Sequence, residues 1–210
     1  MRRGRAFGVF RSCPISKSLT AERSQAVALS RRKEEKRTAT GANALLSNVN
    51  GSSNTATGLN ALYSNTSGGG NTATGYKALF SNTTNNNTAT GYSALQNNTT
   101  GYENTATGYS ALLSNTSGGG NTATGFQALF TNSTGTGNTA NGDNALQNNT
   151  SGFQNTATGY IALQNNTTGY ANTANGLLAL HVNTIGDSNT ATGAFALGGK
   201  HRRQVQHGHR

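Results

Sequence analysis

Apolar residues recur along this chain at a fixed interval that is neither that of an amphipathic helix nor that of an alternating strand. In Asn71 to Thr84, NTATGYKALFSNTT, alanine stands at the third and eighth places and leucine at the ninth, counting from the first Asn. The same phase returns every 17 residues, with one step of 16, and ten copies fill the chain from Thr38 to Gly199. Every copy keeps Thr second, alanine third, Gly fifth, alanine eighth and leucine ninth. A short fixed period means that each unit meets only its neighbours, so the expected architecture is close to one-dimensional.

The pattern within a unit predicts its parts. Asn-Thr-Ala-Thr is short and β-capable at both threonines, and it stops at a glycine able to turn with positive φ. These turn glycines are Gly41, Gly58, Gly75, Gly91, Gly108, Gly125, Gly142, Gly159, Gly176 and Gly193. The next piece, typically Tyr-x-Ala-Leu-x-Ser, is predicted to be a second extended segment carrying the large apolar groups. Its leucines form the expected core ladder: Leu45, Leu62, Leu79, Leu95, Leu112, Leu129, Leu146, Leu163, Leu180 and Leu197. Asn at the twelfth place and Gly or Asn at the fifteenth supply a second corner, since both tolerate left-handed backbone. Two extended pieces and two corners make one coil of an all-β, parallel β-solenoid of about ten coils.

One coil cannot fold alone. A full-size apolar side chain contributes about 1.5 to 3 kcal/mol on burial, whereas fixing the backbone costs about 1 to 2 kcal/mol per residue. Stacked at about 4.8 Å, ten coils give a rod about 48 Å long. Its cross-section is thin, and other chains are expected to cover its remaining apolar surface.

Composition alone points to disorder: the chain is 32% hydrophobic and 10% charged, with 28 Gly, one Pro and no Trp. The phased leucines overrule that reading. The net charge of +10 lies outside the repeats: residues 1–37 carry 11 Lys or Arg against three Glu, while the repeats hold only Lys77 against Glu103, Asp143 and Asp187. Three segments follow: 1–37, a basic N-terminal flank, partly helical or disordered; 38–199, the solenoid; and 200–210, a basic disordered tail. The stretch Thr20 to Arg37 is rich in helix formers and predicts a short helix. Its basic runs lack interleaved aromatics and read as a solvated flank, so no specific nucleic-acid partner is expected. No segment has the length of a secretory or membrane-spanning apolar run. The tail departs from the pattern inside the tenth copy, and the chain is expected to be a fragment, or a reading frame whose ends are not those of a working protein.

Chemistry-bearing residues are sparse. The repeats contain no Cys, one His and one Lys, and only His181 and Asp187 share a coil. No catalytic, metal-binding or cofactor-binding set is expected, because catalysis needs converging polar groups with tuned pKa values. Asp143 and Asp187 form no calcium-loop pattern. His201, His207 and His209 match no structural zinc spacing. Cys13 is alone, so no disulfide forms within one chain. Ser67 to Gly70 and Ser117 to Gly120 are corners, lacking the Lys and helix of a phosphate loop. The motifs beginning at Asn65, Asn82, Asn115 and Asn166 fit the N-glycosylation pattern but are explained as corners. Tyr76, Tyr92, Tyr109, Phe126 and Tyr160 share the sixth place and predict an aromatic ladder.

The units NTATGYKALFSNTT and NTATGYSALLSNTSGGG resemble the head repeats of trimeric autotransporter adhesins, and equally the repeat arrays of tail-fibre-like surface proteins. The resemblance covers residues 38–199. It implies a left-handed parallel β-roll, a homotrimer, and extracellular or cell-surface display on a bacterium or phage to bind host-cell or matrix molecules. A rival reading comes from the threonine pairs, Thr55 and Thr57, Thr72 and Thr74, Thr88 and Thr90, Thr105 and Thr107, Thr122 and Thr124. A flat Thr-x-Thr grid resembles the ice-binding face of solenoid antifreeze proteins. That reading requires the threonines to face outward and the alanine row of Ala56, Ala73 and Ala106 inward. The sequence is compatible with either facing.

Overall fold

The computed structural model describes residues 37–198, so the helix expected before Arg37 and the tail lie outside the described residues. The described chain is a parallel β-solenoid. Each copy contributes one three-residue strand: β1 (Thr38–Thr40), β2 (Thr55–Thr57), β3 (Thr72–Thr74), β4 (Thr88–Thr90), β5 (Thr105–Thr107), β6 (Thr122–Thr124), β7 (Thr139–Asn141), β8 (Thr156–Thr158), β9 (Thr173–Asn175) and β10 (Thr190–Thr192). They form a single ten-stranded sheet in chain order. Register never slips: Thr55 pairs with Thr72, Ala56 with Ala73 and Thr57 with Thr74. Even across the 16-residue step, Thr72 pairs with Thr88. Parallel neighbours need a long connection between them, and here the remainder of each coil provides it.

The expected second extended segment is absent. Between Gly108 and Asn115 the chain runs as successive turns, and Ser110 and Leu112 sit at φ 54° and 52°. The ladder leucines all share this left-handed backbone, from φ 50° at Leu62 to 54° at Leu45. Left-handed φ costs an L-residue roughly 1 to 2 kcal/mol, of the same order as the about 1.5 to 3 kcal/mol gained by burying leucine. The reward is a backbone compact enough to close the coil while still bonding to the next one. Leu62 N–H donates to Ala78 O at 3.0 Å and Leu112 N–H to Ala128 O at 3.0 Å.

Gly at the fifth place is required twice over. Gly58 has φ 128°, and a Cβ there would lie 2.5 Å from the carbonyl oxygen of Gly75 in the next coil. Inside the coil stand the two alanines and the leucine: Ala106, Ala111 and Leu112 are all fully buried, as are their equivalents along most of the rod. One chain therefore seals its own leucine and alanine core, while Tyr92, Tyr109, Phe126 and Tyr160 remain as exposed apolar surface outside it.

Beside this apolar strip run two columns of buried asparagine, at the first and twelfth places. Asn115 Nδ2 donates to Asn98 Oδ1 at 2.7 Å and to Gly118 O at 2.9 Å. In the other column Asn121 N–H and Nδ2 both donate to Asn104 Oδ1, at 2.9 and 3.1 Å. The carbonyl at the fifteenth place takes both columns, since Asn104 Nδ2 also reaches Gly118 O, at 2.8 Å. Buried amides are stable only when paired, and repetition supplies each with the same partner one coil away.

The short third coil interrupts this system. Asn85 was expected at its fifteenth place, but Thr84 takes that part: Asn71 Nδ2 and Asn82 Nδ2 donate to Thr84 O at 2.7 and 2.9 Å. The missing residue is thus the fourteenth. Asn82 Nδ2 makes no bond back to the preceding coil, and the buried Asn65 Oδ1 is left without a hydrogen-bond partner.

Candidate functional site

The strand residues settle which side of the sheet meets solvent. Ala56, Ala73, Ala106 and Ala123 are fully buried, because in a strand alternate side chains point to opposite faces and the alanine side is the core. Thr55, Thr57, Thr105, Thr107, Thr122 and Thr124 are exposed, as are Thr74 and Thr90, while Thr72 and Thr88 are half-buried. Within one strand the pair lies about 7 Å apart, and each row repeats at about 4.8 Å from coil to coil. Only Asn141 and Asn175 interrupt the fourth-place row, and neither row contains a charge.

Their hydroxyls differ from those of the thirteenth-place corner. There Thr99 Oγ1 donates to Thr116 O at 2.9 Å and Thr116 Oγ1 to Ser133 O at 3.0 Å, so the groups are used within the rod. Among the described residues, no hydrogen bond engages the hydroxyls of Thr105, Thr107, Thr122 or Thr124. The sheet face offers an uncharged, in-register array of exposed threonine side chains.

Aromatic ladders border the coils. Tyr76, Tyr92, Tyr109 and Phe126 stack in sequence with centroids 4.8, 5.1 and 5.3 Å apart. Asp143 ends this run and accepts from Phe126 N–H at 3.0 Å, leaving Tyr160 outside the stack. Two further stacks escaped the sequence reading, Tyr63 on Phe80 at 5.0 Å and Phe153 on Tyr170 at 4.9 Å. Their signal was an aromatic at the same place in consecutive coils, the tenth and the sixteenth. Lys77 bridges two ladders, its Nζ 5.4 Å from the Tyr76 ring and 5.7 Å from that of Phe80. Rings stacked in this way cover one another's faces and present mainly their edges to solvent.

The remaining candidates are accounted for by local structure. His181 is half-buried, with Nδ1 3.0 Å from Leu178 O. Asp187 serves Tyr170: its hydrogen bond and its charge raise the phenol pKa above the usual tyrosine range. The glycosylation-pattern residues Asn65, Asn82, Asn115 and Asn166 are fully buried members of the twelfth-place column. Among the described residues no group of three His, Cys, Asp or Glu is placed to hold a metal ion, and no helix is long and apolar enough to cross a membrane. Comparison with family models, curated proteins and solved structures found no match to this chain.

Proposed function

We propose that the solenoid is a non-enzymatic rod module of a bacterial or phage surface adhesin or fibre, contacting host-cell or matrix molecules through its repeated exterior. The observation that carries this reading is the outward, in-register presentation of the same uncharged threonine pair along the sheet. Each coil offers one weak contact, and a rod of equivalent coils converts weak contacts into avidity. Extracellular display and assembly as a homotrimer belong to the same proposal and rest on the resemblance of the repeats.

Biolayer interferometry of the full chain against immobilised matrix proteins and whole mammalian or bacterial cells tests it. Slow dissociation that accelerates when the ligand is diluted on the sensor is the multivalent result. Binding that ignores ligand density, or none to any surface, counts against it. Light scattering on the same sample reads the trimer separately.

A second reading, ice binding, is favoured by one observation: the threonine rows face outward with their hydroxyls unengaged. A rigid array of this kind can order a water layer. Thermal hysteresis in the parent chain, lost on replacing Thr72, Thr105 and Thr122 with tyrosine, is its expected signature. A parent without hysteresis ends it.

A further inference from the structure

Three Asn-Gly steps occur among the described residues: Asn50-Gly51, Asn141-Gly142 and Asn175-Gly176. Such steps are chemically weak, because glycine leaves its own nitrogen unhindered beside the preceding side-chain amide. The fold treats the three differently. Asn141 and Asn175 end β7 and β9, and the following nitrogens are held in coil-to-coil bonds: Gly142 N–H to Thr124 O and Gly176 N–H to Thr158 O, both at 2.8 Å. Asn50 lies in the corner of the first coil, exposed, at the fourteenth place. The carbonyl of Thr66 there already accepts from Val49 N–H at 3.0 Å and Asn50 N–H at 2.9 Å, and no described carbonyl accepts from Gly51 N–H.

We propose that Asn50 is a self-modification site of the folded rod, losing its side-chain amide as ammonia while Asn141 and Asn175 are protected. The Gly51 nitrogen attacks Asn50 Cγ; the new C–N bond forms as the Cγ–Nδ2 bond breaks. The proton released from Gly51 N leaves with Nδ2 as ammonia. Water then opens the cyclic imide at either carbonyl, giving an aspartyl or an isoaspartyl linkage. No oxidant or reductant is involved. The aspartyl product adds a negative charge immediately after Asn48 and Val49, whose carbonyls accept from Arg37 Nη1 at 3.1 and 3.5 Å. The isoaspartyl product inserts a methylene into the backbone just before Gly51, a residue whose own Cβ, if it had one, would meet the Gly68 carbonyl. The first coil thus carries a slow, irreversible charge and backbone change that the inner coils resist.

The full-length chain is incubated warm at mildly alkaline pH, then digested and mapped by mass spectrometry, with isoaspartyl methyltransferase labelling as a second readout. Deamidation of Asn50 alone in the folded chain, and of all three sites in urea, is the expected result. An Asn50→Thr variant with an unchanged circular dichroism spectrum loses the folded-state signal. The proposal is overturned if Asn50 survives in the folded chain while reacting in urea, or if the three sites react equally before unfolding.

Discussion

Asn115 Nδ2 donates a hydrogen bond to the side-chain Oδ1 of Asn98 at 2.7 Å, with both side chains wholly shielded from water. Asn132 Nδ2 then donates to Asn115 Oδ1 at 2.8 Å, so each amide is donor to one coil and acceptor from the next. Removing one member strands a buried acceptor, which costs about 1 to 3 kcal/mol. Asn115→Ala is therefore expected to lower unfolding free energy by about 2 kcal/mol. The neighbouring corner change Ser117→Ala, at an exposed residue whose hydroxyl makes no hydrogen bond among the described residues, should stay within about 0.5 kcal/mol. Urea melts of the two variants check the contrast, and equal losses would remove the column from the account of stability.

Backbone handedness gives a prediction of opposite sign. Ile161 holds φ 60° at the seventh place, where a β-branched residue is a genuine outlier. Coils one, two and seven carry Asn43, Asn60 and Asn144 there, at φ 58°, 59° and 57°. Asn tolerates this region, so Ile161→Asn is expected to stabilise the chain by about 1 kcal/mol. A lower midpoint in thermal melting would show that the Ile161 side chain contributes more by packing than it costs in backbone strain.

The defect in the third coil is repairable. Inserting a threonine between Thr83 and Thr84 and replacing Thr84 with Gly restores a 17-residue step and lets Asn82 donate to the orphaned Asn65 Oδ1. A gain of about 1 to 3 kcal/mol is expected. Hydrogen exchange should show faster opening at this junction in the parent than in the repaired chain; equal protection would contradict it.

Tyr170 should ionise above the usual tyrosine range, because the Asp187 hydrogen bond and negative charge both favour the neutral phenol. The sign of the linkage follows: this contact contributes below the ordinary tyrosine pKa and is lost as pH rises through the raised value. Ultraviolet titration of the parent and Asp187→Asn reads it. A downward shift of the Tyr170 ionisation in the variant is expected, and superimposable curves would refute the pairing.

Much of this was legible because the chain writes its fold ten times. The phase of Leu112, the stop at Gly108 and the Thr105-Ala106-Thr107 strand followed from spacing and residue type alone. The second extended segment did not survive, because β-capability around Leu112 was outweighed by a left-handed turn that no propensity for leucine announces. Asn98 and Asn115 look like corner residues in sequence, since a polar side chain declares its burial only once its partner a coil away is in place. The facing of Thr105 was undecidable from sequence because alanine and threonine are both small enough for either side. Thr84 stands at the fifteenth place instead of Asn85 because the residue missing from this coil is the fourteenth, which the Thr83-Thr84 pair does not disclose in sequence.

The outward threonine row beside an inward alanine row is the relationship on which the proposed surface function stands, and paired cysteine accessibility tests it most directly. In a Cys13→Ser background, Thr107→Cys and Ala106→Cys are each treated with a maleimide in the folded state and again in urea. The account predicts that Thr107→Cys labels at once in both states and Ala106→Cys only after unfolding. Prompt native labelling of Ala106→Cys with protection of Thr107→Cys would contradict it, placing the threonines in the core.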